Sequence, residues 1–240
     1  GDPQKIVPYM AGDQSFISPI MSNPENVFQL GPNAYAKPAT ALNILRETVM
    51  GRETFDHAFK TYSQRWMFKH PTPEDFFRSM EDASAVDLDW FWRGWFYSTD
   101  VVDIGVKNVK KYYFSDEPDL EAKERLETYG YDLENLPEMI FKIDEDSESF
   151  DPKMASQNMI DNSKILKDYI KAEGLNSTKL PKYFYEVEFE KPGGLVMPLI
   201  VDYSYADGTI ERVTYPVQLW RKNDNSVRKI IASDKELTGV

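Results

Sequence analysis

Apolar positions along the chain follow two rhythms. Between Pro38 and Phe96 they recur at three- and four-residue steps, and beyond Tyr183 they alternate with polar residues. The first rhythm puts one face of a helix on a core, and the second puts one face of a strand there. Ala41, Leu42, Leu45 and Val49 form a stripe opened by Pro38, whose missing N–H costs nothing in a first helical turn, and closed by Gly51. Phe55, Phe59, Tyr62 and Trp66 form the second stripe, ended by Pro71 and Pro73. Thr72 and Asp75 spell a capping box with the shorter acid, ahead of Phe76, Phe77, Met80 and Ala83. Leu88, Phe91/Trp92 and Trp95/Phe96 complete a fourth helix from Asp87.

After Asp100 the pattern predicts a strand through Ile104–Val106 and Val109–Phe114, then loops with helices near 118–128 and 156–172. Tyr183, Tyr185, Val187 and Phe189 face one way, with Glu186, Glu188 and Glu190 opposite. Leu199 to Tyr205 continues the alternation, Asp207-Gly208 makes a hairpin turn, and Val213, Tyr215, Val217 and Leu219 return. A short strand over Val227–Ile231 closes an antiparallel sheet with one buried face. The expectation is an α+β chain. An irregular segment (1–34) precedes about four short helices (35–100), and a β-sandwich-like domain (101–240) carries an insertion at 115–182.

Charge sharpens that insertion. The chain has 28 basic and 40 acidic residues, a net charge of −12, and the excess acid is concentrated in 115–182. So acidic a chain argues against a nucleic-acid or anionic-membrane surface. No stretch is apolar enough for a membrane span. The absence of cysteine removes disulfides, thiolate metal sites and cysteine nucleophiles together. Aromatic residues make up 14%, so rings should fill much of the buried volume.

No complete active site is legible. The two histidines, His57 and His70, cannot form the i, i+4 pair of H-E-x-x-H, and no metal ligand set is assigned. His57 reads as a partly exposed helix residue and His70 as a local hydrogen-bonding residue at a turn. Phosphate loops and serine elbows are missing, Gly193-Gly194 reads as a turn, and Asp144-Glu145-Asp146 lacks calcium-loop spacing. The run Trp90 to Tyr97 follows the helical repeat and reads as core. Trp90 is the leftover ring, free to face the surface or to cover a neighbouring domain.

Three segments in order carry a resemblance. Tyr35-Ala-Lys37-Pro38 opens a helix continuing to Gly51, and Glu53, Phe55, Ala58 and Tyr62 follow. Pro71-Thr-Pro-Glu-Asp75-Phe76-Phe77 then leads to Glu81-Asp-Ala-Ser84 and Leu88-Asp-Trp-Phe91-Trp92. Together they resemble the end of the catalytic domain in aminopeptidase N-type zinc metallopeptidases, with Pro38 where that family usually has Gly. The strand-rich remainder, with Asp207-Gly-Thr209 and Pro216 to Arg221, looks like the bacterial branch. The resemblance implies that Tyr35 donates its hydroxyl to the oxyanion, as a phenol still protonated at neutral pH can.

It also implies that the zinc, its ligands and the general base belong to a preceding catalytic half, which would be this chain's partner along with a peptide substrate. This chain alone is then expected to be inactive and to hold no cofactor. Bacterial members point to the envelope, periplasm or exterior as compartment. The competing expectation is a non-catalytic module that recognises a glycan or a basic peptide.

Overall fold

The computed structural model describes residues 3–115, 124, 127–128, 140–143, 155–175, 179–223 and 225–240. The chain is α+β and divides into two compact units, Gly1–Asp103 with Lys191–Pro198, and Ile104–Glu190 with Leu199–Val240.

The first unit is helical. A short α1 (Val7–Met10) buries Tyr9. Helix α2 runs through a π-helical turn Pro32–Ala36, a regular stretch Lys37–Ile44 and a second π-helical turn Leu45–Val49. Then come α3 (Arg52–Trp66), α4 (Pro73–Ser84) and α5 (Asp89–Tyr97). The predicted capping box is present at α4, with both arms made between Thr72 and Asp75. Ala41, Leu45, Met80, Leu88 and Phe91 are fully buried, at positions the three- and four-residue steps select, whereas on α3 Phe55 and Ala58 are buried and Phe59, expected in the stripe, is 41% exposed. Rings knit the helices together: Phe77 stacks on Trp92 at 4.6 Å, and Phe76 meets Tyr62 edge-on at 4.9 Å.

Helix α2 begins six residues earlier than the sequence pattern suggests, because Pro32 rather than Pro38 occupies the first turn. Pro38 therefore lies inside a continuous helical run. An interior proline lacks its N–H and crowds the carbonyl four residues back. The π-helical turn just ahead of it relaxes that crowding, and the Lys37 N–H reaches back five residues to Pro32 O.

Lys191–Pro198 belongs to this unit. Gly194 pairs with Val101 in an isolated parallel bridge, the Val101 N–H donates to Gly193 O at 2.9 Å, and Leu195 is buried. Glycine is required here for space as well as for the turn. A Cβ on Gly193 would sit 2.7 Å from the Asp103 backbone nitrogen, and Gly194 holds φ +86.

The second unit holds β1 (Gly105–Ser115), β2 (Ile140–Ile143), α6 (Ala155–Ala172), β3 (Tyr183–Glu190), β4 (Leu199–Tyr205), β5 (Ile210–Tyr215), β6 (Ser226–Ser233) and β7 (Leu237–Gly239). They form two antiparallel sheets, ordered β2-β1-β3-β6 and β5-β4-β7. The sheets meet where Phe189 approaches Tyr215 at 6.3 Å and the Leu237 N–H donates to the Tyr185 hydroxyl at 2.9 Å.

Three details differ from the sequence pattern. The sheet containing β3 is covered on both faces: α6 sets Leu166 and Ile170 against Tyr112 and Phe184. Glu186, expected to face solvent, is consequently only 4% exposed, with Lys110 and Arg228 each 3.9 Å away. The return strand β5 stops at Tyr215, since Pro216 cannot donate to a ladder, and Val217–Arg221 forms a 3₁₀ turn instead. Strand β7 is too short to show as a pattern. The helix expected at 118–128 falls almost entirely outside the described residues, as does Asp144-Glu145-Asp146. The hairpin turn at Asp207-Gly208 is present, with Gly208 at φ +82.

Candidate functional site around Tyr35

Tyr35 sits in the π-helical turn that opens α2, with 73% of its surface exposed. Its hydroxyl has no hydrogen-bond partner among the described residues. The turn is held from beneath by its neighbours two positions either side. Asn33 and Lys37, four residues apart, lie on one helix face, and both are 1% exposed. Ala34, Tyr35 and Ala36 lie on the exposed side.

The two buried polar residues tie the turn to different parts of the unit. Asn33 Nδ2 donates to Ser18 O at 2.6 Å and to the Tyr9 hydroxyl at 3.1 Å, fastening α2 to the segment before it. The Asn33 N–H donates to Gln29 O, and Gln29 itself holds φ 54, so a left-handed residue steers the chain into the helix. Lys37 Nζ donates to Ser98 O at 3.3 Å, just past α5. Burial lowers the Lys37 pKa below its usual value, opposed by the charge of Asp100. Ser98 is fixed in turn, its Oγ donating to Gly94 O and accepting from the Asp100 N–H. Tyr35 is thus an exposed side chain on a backbone anchored on either side by Asn33 and Lys37.

The remaining sequence candidates disperse. His57 lies exposed on α3 and His70 lies exposed before α4, with no hydrogen bond from its ring among the described residues. No group of three or more His, Asp or Glu among the described residues is close enough to hold a metal ion. Four rings of the aromatic run, Phe91, Trp92, Trp95 and Phe96, are core. Trp90 is half-buried, its Nε1 donating to Asp87 O, so the run offers no flat platform of neighbouring rings. Tyr97 is exposed and donates to Glu74 Oε1 at 3.2 Å.

A cleft of about 800 Å³ runs beside α1 and α2, lined by Ile6, Met10, Ile44, Trp95 and Met197 with Thr40 and Thr48. Tyr35 is not part of its lining. Among the described residues no helix is long and apolar enough to cross a membrane. Tyr35 enters through the resemblance alone, and the sequence pattern passes over Asn33 and gives Lys37 no role. Their spacing of four residues is a signal, but a polar pair on a helix face is read by default as exposed.

The site so defined is one exposed phenol on an anchored helical turn in an α+β protein. The sequence matches no protein-family model and no curated protein.

Proposed function

We propose that the chain is the C-terminal part of an aminopeptidase-like zinc peptidase, in which Tyr35 stabilises the oxyanion formed on a scissile peptide carbonyl. The metal ligands and the general base lie outside these residues, and the chain alone does not hydrolyse peptides. The observation that carries this reading is the presentation of Tyr35. Its hydroxyl has no hydrogen-bond partner among the described residues, while Asn33 and Lys37, on either side, are buried and bonded. A donor that must meet a charge developing on a substrate works best when it is pre-placed and has no competing partner.

The test begins with the coding sequence upstream of residue 1. An in-frame H-E-x-x-H with a glutamate about one helix later is expected. The longer protein should then cleave aminoacyl p-nitroanilides in a zinc-dependent manner. Tyr35→Phe in that protein should lower kcat about 10²–10³-fold with little change in KM, the usual cost of removing one oxyanion donor. A Tyr35→Phe enzyme with undiminished kcat would remove the proposed role.

A further inference from the structure

The second unit contains a cleft whose charge runs against that of the whole molecule. The chain carries −12, yet this cleft of about 630 Å³ is lined by Arg221, Lys222, Arg228 and Lys229 and by no carboxylate among the described residues. Asp224, in the same loop by sequence, lies outside the described residues. Four cations around one concavity repel each other, and low-dielectric walls focus their field on whatever enters. Arg228 is partly compensated, lying 3.7 Å from Glu188 and 3.9 Å from Glu186. Arg221 and Lys222 are exposed and have no ion-pair partner among the described residues.

The walls come from the edges of two sheets. Strand β6 is the last strand of the four-stranded sheet and pairs with β3 on one side alone among the described residues. Tyr215 ends β5, an edge of the second sheet. The 3₁₀ turn Val217–Arg221 spans the gap, held down by buried Trp220. The cleft therefore combines unpaired strand backbone, cations, and apolar surface from Pro216, Leu219 and Val227.

We infer that this cleft binds an acidic peptide segment in extended form, added beside β6, with its carboxylates on Arg221, Lys222 and Lys229. Strand addition uses main-chain hydrogen bonds for affinity and side-chain pockets for specificity, and the three features above supply both. An inorganic oxyanion would occupy a small part of the volume and leave the apolar surface bare. A sugar ring would need a free aromatic face. Tyr215 does not offer one: Lys229 Nζ lies 5.1 Å from its ring centroid, Phe189 contacts the ring, and its hydroxyl is bonded to the Tyr203 hydroxyl at 2.9 Å. Basic residues on an edge strand also discourage self-pairing, but that role requires no concave, partly apolar floor. The cleft lies wholly in the second unit, and the inference is independent of the role of Tyr35.

The experiment uses the intact chain and a fluorescein-labelled, end-blocked hexapeptide of alternating Glu and Leu, followed by fluorescence anisotropy. Saturable binding is expected, weakening several-fold between about 50 and 200 mM salt as exposed charges are screened. The double variant Arg221→Glu, Lys222→Glu should lose at least about tenfold in affinity with an unchanged far-UV spectrum, since both residues are exposed. Lys60→Glu, an exposed charge reversal in the first unit, should change nothing. A peptide of the same sequence with alternate backbone nitrogens methylated should bind about tenfold more weakly. The inference is overturned if the hexapeptide does not saturate, if a Lys/Leu hexapeptide binds equally well, or if the double variant binds as the parent does. Displacement of the peptide by inorganic phosphate or a sulfated disaccharide at lower concentration than unlabelled peptide would also overturn it, and would assign the cleft to small oxyanions or anionic sugars.

Discussion

Asn33 offers the sharpest test of how the exposed turn is held. The residue is 1% exposed, and its side-chain amide makes two donations, at 2.6 Å to Ser18 O and 3.1 Å to the Tyr9 hydroxyl. Asn33→Ala leaves both oxygens without that donor and opens a small void. An unsatisfied buried polar group costs about 1–3 kcal/mol. Two such groups, with Ser18 half-buried and able to recover some hydration, put the expected loss at about 2–4 kcal/mol. Asn33→Asp keeps the shape but points a carboxylate at a carbonyl oxygen. It should be worse than alanine at pH 7 and recover on acidification.

The sign of that pH effect follows from burial, which raises the new carboxyl's pKa in the folded state. Between the unfolded and the raised value the folded state binds more protons, so the variant gains stability as pH falls. Urea denaturation followed by tryptophan emission reads these changes in the first unit, which holds Trp66, Trp90, Trp92 and Trp95. A double-mutant cycle with Tyr9→Phe should return a coupling of about 0.5–1.5 kcal/mol for the longer bond. An Asn33→Ala protein within about 0.5 kcal/mol of the parent would refute the reasoning, because buried bonds of this kind cannot be worth so little.

The other expectations concern local structure. In the α4 capping box the shorter bond runs from the Thr72 N–H to Asp75 Oδ2 at 2.9 Å, against 3.4 Å for the reverse arm. Asp75→Ala should therefore cost about 1 kcal/mol and Thr72→Ala less, an order that urea titrations can check and reverse. Gly193→Ala should cost more than about 2 kcal/mol, since its Cβ meets the Asp103 backbone. Gly105→Ala, with nothing within 4 Å, serves as the control, and equal stabilities would contradict the packing. Asp207 is held down to about 2, first by the Lys235 ammonium at 2.7 Å and then by the Thr209 hydroxyl and N–H. Its contribution to the hairpin is complete above pH 3.8 and lost as pH falls through about 2. In a carboxyl NMR titration Lys235→Met should move this pKa up toward 3.8, and an unmoved value would refute the pairing.

The sequence by itself determined the α3, α4 and α5 helices, the α4 cap and the β4 alternation. Each of these depends on a single face meeting a core or on bonds between residues three apart. Tyr35 stood out only through the resemblance of its segment to a peptidase family, and periodicity alone assigns it no role. Tertiary structure decided the rest. Pro38 became an interior helix residue because Pro32 took the first turn and a π-helical turn absorbed the clash. Asn33 and Lys37 became buried anchors because Ser18 and Tyr9 on one side and Ser98 on the other met them across the unit. Glu186 was enclosed because α6 covers a sheet face that alternation alone assigns to water. The basic cleft exists because two sheet edges bring Tyr215 and Lys222 beside Arg228 and Lys229. Periodicity records which face of an element avoids water. Which distant group will satisfy a buried amide, ammonium or carboxylate is fixed only when the elements pack.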